Sequence, residues 1–144
     1  MNDRISGLLG LMRKASAICP GEDKASEAVF AGKARLLLLP SDAVPGKRER
    51  AERYTDGRSC MMVNLPCTQE ELAAALGIGG CTMAAVTDLG FASALMKLLK
   101  AEDPKRYGAA AEETEKRLEK LRRRKSEKPG RKAGKSKRRM SIWQ

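Results

Sequence analysis

The chain has 144 residues, 29 Lys/Arg against 18 Asp/Glu, and no histidine, which is length enough for one domain with a core plus an extension. Residues 1–100 carry 13 Lys/Arg and 11 Asp/Glu, a net of +2, whereas residues 101–144 carry 16 and 7, a net of +9. Without histidine there is no mixed Cys/His metal site and no Cys/His catalytic pair, and no stretch approaches the ~20 apolar residues that span a bilayer.

In chain order, Ile5, Leu8, Leu9 and Met12 follow the i, i+3, i+4, i+7 spacing of an amphipathic helix from about Asp3 to Ala15. Ala17 to Pro20 reads as a short strand or a turn. Gly21 opens a second helix with Ala25, Ala28 and Val29 on one face, and Gly32 stops it. Leu36 to Leu39 is an unbroken apolar run ended by Pro40. A run of that kind fits a strand buried on both faces, and so a sheet covered by helices on each side. Pro45 sits where a helix begins, and the mixed charges from Lys47 to Arg58 predict an exposed third helix. Cys60 to Leu65 reads as a strand. Thr68 and Glu71 have capping-box spacing before a helix with Leu72, Ala75 and Leu76 on its core face, and Gly77 ends it. Gly79 and Gly80 turn the chain into a strand at Met83–Val86. Asp88 caps a helix that buries Phe91, Leu95, Leu98 and Leu99.

Strands alternating with helices imply an α/β domain, a three-layer α/β/α sandwich over residues 1–100. Residues 101–144 form a charged extension. Within it, Glu112 to Lys125 predicts an exposed helix supported by Glu112–Lys116, Glu113–Arg117 and Glu119–Arg123 pairs. Pro129, Gly130 and Gly134 break helical structure beyond Ser126, so a disordered basic tail follows. The cations singled out across the end of that helix and the tail are Arg122, Arg123, Arg124, Lys125, Arg131, Lys132, Lys135, Lys137, Arg138 and Arg139. They suit a polyanion, nucleic acid before an anionic membrane. Trp143 can stack on a base, anchor a protein partner, or simply fray.

Cys19, Cys60, Cys67 and Cys81 match no metal or redox spacing and read as reduced, mostly buried thiols. The N-terminus lacks the apolar segment and cleavage site of a signal peptide, so a cytoplasmic protein without a membrane partner is expected. There is no P-loop or dinucleotide-binding glycine motif and no nucleophile–base pair, so neither an enzyme nor a cofactor is expected.

One set of segments, in order, carries a resemblance: Leu8 to Ala15, Gly21-Glu22-Asp23, Gly32 to Leu39, Ser41-Asp42-Ala43 and Ala85 to Ala92. Together they resemble the kink-turn-binding ribosomal protein superfamily (L-seven-Ae and L-thirty-e), in particular its small bacterial members. The resemblance implies a mixed central sheet. It also implies binding of structured, ribosomal or kink-turn-like RNA, on or off the ribosome. The contacts it implies fall on Gly21, Asp23, Lys24 and Glu27 at the second helix, on Gly80, Cys81, Thr82 and Met83 in the loop before the last strand, and on Lys33 as part of an enlarged basic face. Strong kink-turn binders carry Asn, Glu and Lys where this chain has Asp23, Lys24 and Glu27.

Each of these residues also has a plainer reading. Acidic residues in a first helical turn stabilise the helix dipole. Gly79 and Gly80 serve any tight turn. Cys81 and Met83 are ordinary core residues, and Arg13, Lys14, Lys33 and Arg35 are ordinary surface charges. The alternative to RNA binding is a protein-interaction module on the same fold whose RNA site has degenerated.

Overall fold

A computed structural model describes residues 2–127, with side chains as far as Arg124. The expected contacts of the Lys125 side chain, of Arg131, Lys132, Lys135, Lys137, Arg138 and Arg139, and of Trp143 lie outside the described residues. The elements are α1 (Asp3–Lys14), β1 (Ile18–Pro20), α2 (Glu22–Phe30), β2 (Leu36–Leu39), α3 (Pro45–Thr55), β3 (Met61–Asn64), α4 (Gln69–Leu76), β4 (Ala84–Val86), α5 (Leu89–Glu102) and α6 (Pro104–Glu127).

The four leucines of β2 are all fully buried. Alternate side chains of a strand point to opposite faces, and they divide accordingly. Leu36 and Leu38 join one apolar cluster, with Ile5, Leu9 and Met12 of α1, Leu72 of α4, and Leu95 and Leu99 of α5. Leu37 and Leu39 join a second, with Ala25 and Val29 of α2 and Ala51 of α3. The sheet is therefore the middle layer of a three-layer α/β/α sandwich. Its strand order is β1-β4-β2-β3. β2 runs parallel to β3 and antiparallel to β4, which is in turn antiparallel to β1, so the sheet is mixed.

Helix ends follow the chemistry of their residues. Asn2 accepts from the Arg4 amide at 2.7 Å to start α1. The Thr68–Glu71 capping box forms, and Gly77 closes α4 in the left-handed conformation at φ 70°. Asp88 accepts from the Phe91 amide at 2.9 Å to start α5. Some details differ from the sequence reading. Ala17–Pro20 resolves into a strand at Ile18–Pro20, and in α4 Ala73 is buried while Ala75 is half-buried against the same cluster.

The largest difference is α6. It begins at Pro104, well before Glu112, and one of its faces is packed rather than exposed. Tyr107, Ala111 and Leu118 belong to the cluster on the α5 side of the sheet. The Tyr107 hydroxyl donates to the Asn64 carbonyl at the end of β3. Lys97 of α5 reaches Glu115 of α6 at 3.1 Å. The stripe Tyr107, Ala111, Thr114, Leu118, Leu121 is helical in spacing but poor in large aliphatics, so its apolar signal is diluted by the surrounding charge.

Candidate nucleic-acid interface

β1 leads straight into α2, and it lies beside β4 with Pro20 opposite Ala84. Immediately beyond that pair the Gly21 N–H donates to the Met83 carbonyl at 2.8 Å. This bond fixes the start of α2 against the loop that precedes β4. The two implied contact regions, about 60 positions apart in sequence, are thereby joined at Gly21 and Met83.

Gly21 is the N-cap of α2, at φ 97° and ψ 146°, and no side chain caps the helix. Positive φ is tolerated best by glycine. The first intrahelical bond is Ala25 N–H to the Gly21 carbonyl at 2.9 Å. The amides of the first turn are thus left for an outside acceptor, and a helix N-terminus favours an anion there.

Glu22 does not face outward. Its carboxylate accepts from Lys47 Nζ and from the Tyr54 hydroxyl at 2.7 Å, and lies 2.8 Å from Arg50 Nε. The lysine hydrogen bond, followed by that of Tyr54, holds the Glu22 carboxyl below the usual carboxylate range. The bond to Glu22 pushes the Tyr54 phenol up in turn. Glu22 therefore clamps α2 to α3 and brings two cations beside the α2 N-terminus. Lys47, Arg50 and Tyr54 lie at i, i+3 and i+7, a helical face visible in the sequence, but no partner for it was legible there.

Asp23, Lys24 and Glu27 are exposed along α2. Lys33 lies beyond the far end of the helix, roughly 13 Å away for nine residues at 1.5 Å each, and is not brought to this surface. In the loop, Gly79 and Gly80 are exposed and Thr82 is half-buried. Cys81 and Met83 are buried, Met83 completely; Met83 packs in the layer with α2 and α3, and Cys81 in the layer with α1, α4 and α5. Their side chains serve packing, so the loop offers backbone groups, Gly80 and Thr82. The Cys81 thiol donates to the Met83 carbonyl at 3.4 Å, and burial pushes its pKa up.

A cleft of about 460 Å³ runs from this loop along α4, lined by Gln69, Ala73, Ala74, Ile78, Gly79 and Gly80 among others. Its α4 wall is set by the Gln69 amide, which donates to Asp42 Oδ1 at 2.9 Å. The Gly77 turn, with Ile78 N–H bonded to the Ala73 carbonyl at 3.0 Å, directs the loop away from the helix. Among the described residues no group of three or more His, Cys, Asp or Glu side chains is placed to hold a metal ion. No described helix is long and apolar enough to cross a membrane.

Helices on both faces of a mixed four-stranded sheet, with a glycine-capped helix start tied to a glycine-containing loop, define a sandwich of the L-seven-Ae type. Solved structures share the fold, among them the following two. One, a protein of unknown function from Bacillus halodurans C, superposes with a TM-score of 0.64 at 24% identity, over 69% of this chain and 99% of that one. The other, the Giardia lamblia 15.5kD RNA binding protein, superposes with a TM-score of 0.57 at 17% identity, over 70% and 92%. In sequence the chain is 36% identical over 96 residues to the RNA-binding protein YlxQ of Bacillus subtilis (strain 168), which is 64% of this chain and 91% of that protein. The chain belongs to the family of that protein. No family model matches it.

Proposed function

We propose that the chain is a non-catalytic, cytoplasmic RNA-binding protein, ribosome-associated or bound to kink-turn-like RNA. In this reading it grips bent RNA at the end of the sandwich where α2 starts. The observation that carries the reading is the Gly21–Met83 hydrogen bond, which ties the uncapped start of α2 to the loop that leads from Gly79-Gly80 into β4. The amides suit phosphate oxygens. A bent RNA duplex opens base edges that regular A-form helices hide, and a small loop and cleft can meet them. Kinship with an RNA-binding protein supports the same reading. Lys24 supplies positive charge, and Lys47 and Arg50 together exceed by one the Glu22 carboxylate they share. Asp23 and Glu27 oppose it, so recognition rests more on shape than on charge at α2.

The test is binding of a kink-turn RNA and of a straight duplex of equal length, followed by fluorescence anisotropy. The native chain should prefer the kinked RNA. Glu27→Lys should tighten kinked RNA by about two- to fivefold, as expected for one exposed charge contact, and straight RNA less. Equal gains on both would remove Glu27 from a shape-reading surface. Asp23, Glu27 and Phe30, the last 55% exposed, favour a second reading as a protein-interaction module. That reading predicts no discrimination between the two RNAs.

A further inference from the structure

A different surface lies at the opposite end of the sheet. β2 and β4 are antiparallel, with Leu36 opposite Val86 and Leu38 opposite Ala84. The end that carries Arg35 and Leu89 is therefore the one away from Gly21 and Met83. There α6, whose Arg117 meets the Ser59 carbonyl just before β3, leaves a groove of about 280 Å³, lined by Arg35, Arg117, Lys120 and Arg124 together with Leu89 and Leu121.

The groove is built on fixed backbone. The Arg35 amide donates to the Val86 carbonyl at 2.6 Å, and the Arg35 carbonyl accepts from Met61 at 3.3 Å. Arg117 fastens the helix wall, through Nη1 to the Ser59 carbonyl and through Nε to Glu113 at 2.9 Å. Arg117, Lys120 and Arg124 follow i, i+3, i+7 and so share one face of α6. No carboxylate lines the groove among the described residues. Asp88, beside Leu89, is turned to cap α5. Arg35, Lys120 and Arg124 are exposed and make no ion pair among the described residues. Three unpaired cations thus converge on a groove without a counter-charge, an arrangement that stabilises a bound polyanion rather than the fold. Eight further Lys/Arg follow between residues 125 and 139, in the sequence joined to the same helix.

We propose that this groove is a second RNA-contact surface, one that takes the phosphodiester backbone of a helix without reading its bases. The inference rests on the RNA-binding reading above and places a separate contact at the far end of the domain. Successive turns of α6 present cations at intervals of about 5.4 Å, so neighbouring phosphates of one strand can be met together. Arginine forks chelate phosphate oxygens, and half-buried Leu121 can lie against the sugars. Contacts of this kind position a protein but carry no sequence information.

The test uses the full chain with Arg35, Lys120 and Arg124 all changed to Gln, measured by anisotropy on the kinked and straight RNAs across a salt series. The triple variant should weaken both RNAs by similar factors. The slope of log K against log salt should flatten by about 2–3 for three lost phosphate contacts. In the native chain, bound straight duplex should slow acylation of Lys120 several-fold but spare Lys100, roughly 16 Å further along α5 from Leu89. An unchanged slope and an unprotected Lys120, in a chain that still binds RNA, would overturn the groove and leave the α2 surface standing. Loss of the kinked-RNA preference at constant slope would overturn its role as a backbone contact. Failure of the native chain to bind either RNA at low salt would overturn both readings together.

Discussion

A chain truncated after Lys100 keeps every strand of the sheet but loses α6, and the size of that loss can be worked from the packing. Tyr107 is 4% exposed and Leu118 8% exposed against the cluster around α5, with Ala111 between them. Burying a large side chain contributes about 1.5–3 kcal/mol, so Tyr107 and Leu118 together account for about 3–6 kcal/mol. The same truncation uncovers the α5 face beneath them. Domains of this size are stable by about 5–15 kcal/mol, so the fragment should lie near the edge of folding. Urea unfolding followed by helical circular dichroism should show the full chain with a cooperative transition. The 1–100 fragment should have a midpoint lower by 1 M or more, given slopes of about 1–3 kcal/mol/M. A 1–124 chain should match the full one, and Leu118→Ala alone should cost about 2 kcal/mol, the low end for a core leucine. A 1–100 fragment that unfolds cooperatively at the full-chain midpoint would refute a stabilising role for α6 and would keep the domain boundary where the large aliphatic residues end.

Glu22→Gln should lower stability at neutral pH by about 1–2 kcal/mol, since charged hydrogen bonds are replaced by weaker ones at a partly exposed site. Because the folded pKa of Glu22 is depressed, its contribution is present above the ordinary carboxylate value of 4.5 and is lost as pH falls through the folded pKa. Melting temperatures of the native chain and the variant should therefore differ at pH 7 and converge toward pH 3. A constant gap across that range would refute the clamp. Gly21→Ala should destabilise by about 1–3 kcal/mol from backbone strain alone, because φ is 97° and no atom lies within 4 Å of the added Cβ; a neutral result in urea unfolding would count against the N-cap geometry. Burial raises the Cys60 and Cys67 thiols to about 11, and Cys81 is also pushed up, so native alkylation at pH 8 should label half-buried Cys19 first. Mass spectrometry that finds Cys60 or Cys67 labelled as fast as Cys19 would refute their burial.

The layers were legible in the sequence because their signals are local. Four consecutive leucines between Arg35 and Pro40 announce a doubly buried strand, and Thr68 with Glu71, or Asp88 before Phe91, announce helix starts by capping chemistry. The packed face of α6 was not legible. Its stripe is built from Tyr107, alanines and a threonine, and becomes apolar only when α5 lies beneath it. The strand order was likewise unreadable, since pairing of β4 between β1 and β2 depends on contacts across the whole chain. At the candidate interface, Gly21 and the Gly79-Gly80 turn stood out by residue type, yet the bond from Gly21 to Met83 at the end of that loop depends on the β1–β4 pairing. Lys47, Arg50 and Tyr54 had the spacing of one helical face, but the fold alone supplies Glu22 as its partner. Met83 reads equally well as a loop contact or as core, and its complete burial assigns its side chain to packing.

The central claim, that bent RNA is held where α2 begins, is tested most directly by titrating kink-turn RNA into isotopically labelled full-length protein and following backbone amide resonances. The amides of Glu22, Asp23 and Lys24 and those of Gly79, Gly80 and Thr82 should shift together, saturate at one concentration, and respond less to straight duplex. Shifts that leave these six amides in place while the RNA binds elsewhere on the domain would contradict the account.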